Sequence, residues 1–302
     1  MLLRLIKVLR RPVSGLLTDG RILSVAINDS GIGLIGGYSG GDPYAATIVD
    51  GVATTISGLS SSGIVSSVAI NDSGVGLIGG WYNNDPNRPF AYIVVNNVAA
   101  EISNLPASGE ILSVAINNAG EGVIGGYTLL TDSSQVAYAA TVNIGTTTVT
   151  EYVPIESQYQ INSVAINPVG VSLVGGLSTF SQNTPYAAFL SNGQVNEIIG
   201  LPEYGDILSV AFQTMSITGI RLKNDFGVVS EYFNALSWNN LWPSELASYR
   251  LLRNDILIAT LNADATSYED HNLLKSETDI YTINAYDESG ILLDSASITI
   301  GR

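Results

Sequence analysis

The chain has 302 residues, of which 46% are hydrophobic and 13% charged, contains no cysteine and carries a formal net charge of −15. This composition is too apolar for a disordered chain, and the length favours two domains. The absence of cysteine excludes disulfides and thiolate chemistry, but it does not indicate the cellular compartment. Because so negative a surface repels phosphate backbones, the charge argues against nucleic-acid binding, and no apolar run approaches the ~20 residues that span a bilayer.

The first twenty residues allow three interpretations. Four of the twelve cationic residues lie in the first eleven positions, where Arg4 and Lys7 interrupt an apolar run. The stretch could therefore be a poor signal sequence or a basic amphipathic helix. The third interpretation, which we favour, aligns Leu16–Ile22 with Leu201–Ile207. It gives the N-terminal stretch the place of the last two strands of a repeat, so that it closes a ring.

One sequence phrase then recurs along the chain. Ser-Val-Ala-Ile-Asn, followed by Ile-Gly-Gly or Val-Gly-Gly, starts at Ser24, Ser67, Ser113 and Ser163, and a fifth beginning starts at Ser209. Successive starts are 43, 46, 50 and 46 residues apart. Repeats of this length and strand content are typical of the blades of a β-propeller.

Each repeat predicts four short antiparallel strands. In the first repeat they are Ile22–Ile27, Gly33–Tyr38, Tyr44–Val49 and Val52–Ile56, joined by turns rich in Asn, Asp and Gly, which tolerate positive φ. One such sheet cannot bury its apolar face alone, whereas neighbours in a ring cover one another. We interpret the Gly-Gly pair at the end of every second strand as a requirement of close packing.

The repeats resemble a known family. The phrase Ser-Val-Ala-Ile-Asn-Asp-Ser-Gly, the Ile-Gly-Gly after it and the strand Pro185–Phe189 are similar to the HAF-type extracellular repeats of bacterial surface proteins, over about residues 20–215. The chain departs from that pattern where the family often has His, at Tyr44, Phe90, Tyr138 and Tyr186. The resemblance implies a bladed, secreted or surface-exposed module without known catalytic residues.

After Phe212 the repeat pattern stops, and alternating segments predict about seven strands of a second domain. The segments are Asn234–Trp238, Ser248–Asp255, Ile256–Leu261, Thr266–Tyr268, Asp279–Asp287 and Asp294–Ile300. We predict domains at residues 1–216 and 217–302. Ile217–Leu222 has two interpretations, because it could be the second strand of a fifth blade or the first strand of the second domain.

The second domain, about residues 217–302, resembles a fibronectin type III domain. The matching pieces are Leu236 with Trp238, Ser248–Arg250, Arg253-Asn254, Leu257–Ala259, Thr266–Asp270 and Asn284–Asp287. The resemblance implies a two-sheet sandwich. Asp279 or Ile280 stands where the family has its corner tyrosine, with Tyr281 displaced from it, which puts the corner hydrogen bond in question.

Few catalytic chemistries fit the residue types. The chain has a single histidine, His271, and no cysteine, which excludes zinc sites and leaves a nucleophilic triad without a suitable base. Only carboxylate chemistry remains, with Asp42, Asp85 and Asp132 in equivalent loops and Asn183 in the fourth repeat. Equivalent positions indicate a repeated surface feature, whereas an active site usually breaks such symmetry. We therefore predict no enzyme activity and no cofactor.

A repeated binding site is more plausible. An aromatic residue follows Gly-Gly in three repeats, at Tyr38, Trp81 and Tyr127, with Leu177 in the fourth. Aromatic faces beside Asp and Asn suit sugar rings and protein surfaces alike. The predicted ligand-binding residues are Tyr38, Asp42, Trp81, Asp85 and Tyr127. The alternative is that the aromatic rings are wedges between blades.

The sequence thus predicts an all-β protein, with a β-propeller of five blades, the last shared by the two termini, followed by a fibronectin-like sandwich. The predicted function is non-catalytic recognition or adhesion by a secreted or cell-surface protein that binds a glycan or a protein. The acidity makes Ca²⁺ a weak candidate partner, although the loops lack a D-x-D-x-D-G pattern. The alternatives are a carboxylate-dependent glycoside hydrolase and a structural surface-layer subunit.

Overall fold

The computed structural model describes residues 12–84, 86–132, 134–152, 159–178, 183–191, 193–212, 215–227, 230–239, 246–288, 290 and 292–301. All regular structure in these ranges is β-strand. They accordingly contain no helix long and apolar enough to cross a membrane. The chain divides into two compact units, one of Met1–Ile166 and Gly170–Ala211 and the other of Asn167–Val169 and Phe212–Arg302.

In the part of the first unit that the structure describes, each of four repeats forms one antiparallel sheet of four strands. Sheet 1 is β1 (Arg21–Ile27), β2 (Gly33–Ser39), β3 (Asp42–Val49) and β4 (Val52–Thr55). Sheet 2 is β5 (Gly63–Ile70), β6 (Gly76–Tyr82), β7 (Arg88–Val95) and β8 (Val98–Glu101). Sheet 3 is β9 (Gly109–Ile116), β10 (Glu121–Leu129), β11 (Gln135–Asn143) and β12 (Thr148–Glu151). Sheet 4 is β13 (Tyr159–Ile166), β14 (Ser172–Ser178), β15 (Thr184–Ser191) and β16 (Gln194–Glu197).

Each sheet is an up-and-down meander, and its tight turns follow from local sequence. Between β3 and β4 the turn residues Asp50 and Gly51 have φ of 52° and 79°, and Asn96 and Asn97 occupy the same turn of sheet 2 at 51° and 64°. Two consecutive positive φ angles are what a two-residue hairpin needs to match the strand twist. The four strands predicted for the first repeat are confirmed, with ends that differ by at most two residues.

Neighbouring sheets share apolar cores, and the Gly-Gly pairs allow this packing. A Cβ at Gly36 would come within 2.5 Å of the Val68 side chain of the next sheet, too close for any side chain. A Cβ at Gly37 would collide with the Arg21 carbonyl across a bulge in the β1–β2 ladder. The same two clashes recur at Gly79-Gly80, Gly125-Gly126 and Gly175-Gly176. The packing interpretation of the glycines is confirmed.

The Ser and Asn of the repeated phrase join one sheet to the next. The Ser24 hydroxyl accepts a hydrogen bond from the Val68 amide at 3.0 Å, and Ser67, Ser113 and Ser163 accept the corresponding bonds at 3.1 Å. The buried Asn28 side chain accepts from the Ile32 amide of its own turn and donates to the Asn71 carbonyl of the next sheet. Repetition of the phrase therefore repeats a junction as well as a strand.

The array continues beyond sheet 4 by one segment. Ile207 and Val210 of the fifth phrase pack against Gly175 as Val65 and Val68 pack against Gly36. The next strand of the chain, Ile217–Asp225, lies in the second unit. The segment Ile217–Leu222 is therefore part of the first strand of the second unit and is not the second strand of a fifth blade.

The other end of the array is apolar and exposed. Ile22 and Val25 are 42% and 72% exposed, whereas the equivalent Val65 and Val68 are 0% and 5% exposed. Ser14 bridges Val52 in parallel as Ser57 bridges Val98, so residues 12–20 lie as a link between sheets does. Residues 1–11, to which we assigned closing strands, lie outside the described residues. The five-bladed ring therefore stays a prediction.

The described residues of the second unit form seven strands in two antiparallel sheets. β17 (Ile217–Asp225), β18 (Ser230–Trp238) and β21 (Ser267–Leu273) form one sheet, and β20 (Ile256–Asn262), β19 (Ser248–Arg253), β22 (Asp279–Tyr286) and β23 (Leu292–Ile300) form the other. Both sheets contribute to one core, in which Trp238 packs edge-on against Tyr249. The fully buried Tyr281 donates to Asp270 at 2.7 Å and accepts from Asn234 at 2.8 Å. The link to the fibronectin type III family stays a prediction.

Candidate functional site

The four predicted binding residues that the structure describes, Tyr38, Asp42, Trp81 and Tyr127, lie at one end of the sheets of the first unit, which we call the loop edge. It consists of the connections between the second and third strands of sheets 1–4, together with the links from each sheet to the next. Since strands alternate in direction, the starts of the first and third strands and the ends of the second and fourth meet there. Asp85 lies outside the described residues, so the structure places four of the five predicted residues.

The three aromatic residues occupy equivalent places on this edge. Tyr38, Trp81 and Tyr127 stand opposite Arg21, Ile64 and Glu110 in the ladders between first and second strands. Each is half-buried. Among the described residues no ring contact joins any two of them, so they present three separate faces along successive sheets.

Tyr38 also lines a small cavity of about 90 Å³. Its other walls include Leu16, Arg21 and Tyr44. The buried Tyr44 hydroxyl has no hydrogen-bond partner among the described residues. In sheet 2 the equivalent residue is Phe90, since Tyr44 pairs with Gly37 and Phe90 with Gly80.

Asp42 has a structural partner. Its carboxylate accepts a hydrogen bond of 2.8 Å from the amide of Ser62, which has a positive φ of 65°. The neighbouring Gly41 carbonyl accepts from the Gly63 amide at 3.0 Å. Asp42 therefore holds the link between sheets 1 and 2, and the residue is exposed at the loop edge.

The carboxylate of Asp132 is also engaged locally. It accepts hydrogen bonds from the side chain and amide of Ser134 at 2.5 and 2.9 Å, and these bonds lower the pKa of Asp132. A general acid of a glycosidase needs a raised pKa, so this environment suits a turn-stabilising role better than catalysis.

Tyr127 belongs to a polar chain that crosses two sheets. Burial raises the pKa of its hydroxyl above the ordinary value, and the neighbouring Glu110 raises it further. Glu110 in turn accepts a hydrogen bond of 2.8 Å from the Asn87 amide group in the loop of sheet 2. Tyr127 therefore lies beside a carboxylate that a side chain of sheet 2 contacts.

Sheet 2 carries a polar network that the sequence analysis did not identify. The Tyr82 hydroxyl donates to Glu101 at 3.0 Å and lies 2.6 Å from the Tyr92 hydroxyl. Because an ionised carboxylate can only accept, the Tyr82 proton points to Glu101. The Tyr92 hydroxyl donates to the Ser60 hydroxyl at 3.1 Å. The Ser60 amide donates to Tyr92 at 3.3 Å. Burial raises the pKa of Tyr82, which keeps this proton in place.

Arg88 completes the network at its exposed side. Its guanidinium lies 4.7 Å from the centre of the Tyr82 ring and 3.6 Å from a Glu101 oxygen. It is the single cation between Ile22 and Ile220, against fourteen Asp and Glu residues. Beside it a cleft of about 330 Å³ is lined by Arg88, Pro89, Glu101, Ile102, Ser103, Asn104, Leu105 and Pro106.

The signal that could have revealed this network is departure from the repeat. Tyr92 occupies a position that is Ala46 in sheet 1 and Ala140 in sheet 3. An aromatic residue in place of alanine, near the lone cation, breaks the repetition at one place. Among the residues that the structure describes, no three acidic or His side chains form a group that could hold a metal ion.

No protein-family model and no curated protein sequence matches the chain. Among solved structures, a Hadza microbial sialidase, Hz136, matches 93% of the chain and 66% of its own length at 12% identity and a TM-score of 0.45. YCF48 bound to D1 peptide matches 94% of the chain and 82% of its own length at 11% identity and a TM-score of 0.41.

A third solved structure, the Clostridium perfringens spore cortex lytic enzyme SleM, matches 29% of the chain at 20% identity and a TM-score of 0.22. The chain spans 28% of the length of SleM. At these TM-scores and identities the likenesses carry no argument about the activity or ligand of this chain.

Proposed function

We propose that the protein is a non-catalytic, secreted or cell-surface recognition protein of propeller type, which binds a glycan or a protein through its loop edge. The observation that carries the proposal is the repetition of one half-buried aromatic side chain, Tyr38, Trp81 and Tyr127, at the same place on three successive sheets. Half-exposed rings on a rigid scaffold supply contact area at low entropic cost.

Two further observations favour binding over catalysis. Asp42 and Asp132, which a carboxylate glycosidase of this kind would use, accept hydrogen bonds that serve a link and a turn. The hydrogen bonds to Asp132 lower its pKa, which opposes the role of proton donor. The strongly negative net charge of −15 keeps the chain soluble and disfavours anionic partners.

The test is binding of the purified chain to a glycan array and to an array of purified extracellular proteins. Saturable binding to either array is expected. Trp81→Ala should weaken it about ten-fold or more, because a large aromatic contact is the commonest dominant residue of an interface. Leu177→Ala removes a side chain from the equivalent place in sheet 4 and is the matched control, with an expected change below about two-fold.

Three outcomes would contradict the proposal. Equal losses in Trp81→Ala and Leu177→Ala would show that the aromatic face is not the contact. Hydrolysis of aryl glycosides that disappears in Asp85→Asn would favour the glycosidase. Assembly that grows with protein concentration in light scattering, without binding to either array, would favour a structural surface-layer subunit.

A further inference from the structure

We propose that the cleft beside Arg88 and Glu101 on the loop edge of sheet 2 binds one neutral sugar ring. The inference rests on the glycan branch of the proposed function and gives it a place and a ligand chemistry. It is carried by two observations, the convergence at this cleft of residues that depart from the repeat and the charge balance of the groups that line it.

Sheet 2 differs from sheets 1, 3 and 4 in the residues around the cleft, whereas its packing against neighbouring sheets is the same as theirs. Tyr82 and Arg88 face each other in the ladder between the second and third strands of sheet 2. The same place is taken by smaller or uncharged pairs or by an acidic residue in the other sheets, namely Ser39 with Asp42 in sheet 1, Thr128 with Val136 in sheet 3 and Ser178 with Thr184 in sheet 4. Asn104 stands in the following link with a φ of 63°, where the other described links have Gly15, Gly58 and Gly200. Asn in this conformation is less favourable than Gly. The packing of sheets does not require these larger polar residues, because sheets 1, 3 and 4 form without them.

The network in sheet 2 holds the lining groups in place. Glu101 is fixed by Tyr82, and the guanidinium of Arg88 rests on the Tyr82 ring. The side chains of Arg88 and Glu101 remain 49% and 45% exposed, and among the described residues the guanidinium makes no hydrogen bond. The N–H groups of Arg88 and the free oxygen of Glu101 are therefore available to a ligand. The fixed geometry lowers the entropic cost of binding.

The size and lining of the cleft fit a single sugar ring. About 330 Å³ is at the lower end of the ~300–1,000 Å³ range of small-molecule sites. Pro89, Ile102 and Leu105 offer apolar walls for the C–H face of a ring, and Asn104 and Ser103 add polar groups at the rim. Adjacent hydroxyls can donate to a carboxylate and accept from a guanidinium at the same time.

Charge decides between neutral and acidic sugars. Arg88 and Glu101, at 3.6 Å, neutralise one another, so the cleft holds no net positive charge for a ligand carboxylate. An acidic sugar would place a second negative charge beside Glu101 and approach a chain of net charge −15, and like charges at close range are repulsive. A neutral hexose meets neither obstacle.

The experiment measures binding of the full chain to neutral and acidic sugars. The neutral probes are the methyl glycosides of glucose, galactose, mannose, fucose and N-acetylglucosamine, and the acidic probe is sodium glucuronate. Saturation-transfer NMR detects weak binding, and titration calorimetry gives the affinity. At least one neutral glycoside should bind, and glucuronate should bind at least about ten-fold more weakly.

Two variants test the lining groups, each with a matched control. Arg88→Met keeps an apolar stem over Tyr82 and removes the guanidinium, and Glu101→Gln removes the charge at constant size. Each should weaken sugar binding about ten-fold or more, since hydrogen bonds to charged groups are the stronger ones. Arg250→Met removes a guanidinium that lies 4.2 Å from the Tyr286 ring in the second unit, and Glu151→Gln alters the residue equivalent to Glu101 in sheet 3. These controls should change affinity by less than about two-fold.

The outcomes separate this inference from the proposed function. If no neutral glycoside binds the folded chain, or if glucuronate binds best, the inference is wrong. If a glycan binds and Trp81→Ala abolishes binding while Arg88→Met leaves it intact, the loop edge keeps its function and the cleft does not. Thermal unfolding of each variant identifies any loss of sugar binding that is caused by misfolding. If Arg88→Met is misfolded, the inference is tested by Glu101→Gln alone, and unchanged sugar binding in that variant contradicts it.

Discussion

The substitution Gly79→Ala tests how closely sheets 2 and 3 must pack. A Cβ at this position would lie 2.6 Å from the Ile111 Cγ2 and Val114 Cγ1 atoms, both belonging to buried side chains. Carbon atoms prefer ~3.5–4.0 Å, so the sheets would have to separate by about 1 Å. Such overpacking costs about 1–3 kcal/mol, against a gain of about 0.4–1 kcal/mol from a stiffer unfolded chain. We expect a net destabilisation of about 1–2 kcal/mol.

Urea unfolding followed by circular dichroism measures the effect. The matched control is Gly145→Ala, at a turn position where the nearest atom to a new Cβ is the Asn143 side-chain oxygen at 3.5 Å. The control should change the free energy of unfolding by less than about 0.5 kcal/mol. A second variant, Gly79→Ala with Val114→Ala, makes room for the new methyl group. The double variant should be less destabilised than the sum of the single variants by about 1 kcal/mol.

Equal stabilities of Gly79→Ala and Gly145→Ala would refute this reasoning. So would strict additivity in the double variant, because it would mean that residues 79 and 114 do not compete for the same space. Either result would remove the physical account of why each second strand ends in Gly-Gly.

Three further predictions concern the same array. Asn71→Ala removes the hydrogen bond within its own turn and the hydrogen bond to the next sheet, so it should lower the free energy of unfolding by about 2–3 kcal/mol. In the same urea assay, the control Asn84→Ala at an exposed position should lower it by less than about 0.5 kcal/mol. Val68→Ala should lower the free energy of unfolding by about 2 kcal/mol, and Val25→Ala, at the equivalent but exposed position, should lower it by less than about 0.5 kcal/mol. Similar losses in the two variants would mean that the apolar end of sheet 1 is covered in solution. Burial raises the pKa of Tyr82 above its unfolded value of about 10, so its contribution to stability is complete below about pH 10 and is lost as the pH rises further. Urea midpoints should fall only above that pH, and a midpoint that stays level to about pH 11 would contradict the assignment.

The sequence alone determined the repeat and its strands. Alternation of apolar residues, the turn pairs such as Asp50-Gly51 and the recurrence of the phrase at Ser24 are local signals, readable without knowledge of neighbours in space. They were sufficient for the four meanders and for the packing role of Gly36. The same signals related residues 12–20 to the later links between sheets, because similar residue types occur in the same order in both places.

The tertiary structure decided what lies across the strands and between the sheets. Arg88 and Glu101 meet because β7 and β8 pair in one register, and a shift of one residue would turn a side chain to the opposite face. No local pattern showed that Asp42 holds a link or that Asn28 binds the next sheet, because those partners lie 20 and 43 residues away in the chain. Periodicity reports which face of a strand is buried, whereas the partner of a polar group depends on which backbone atoms the folded chain brings within hydrogen-bonding distance.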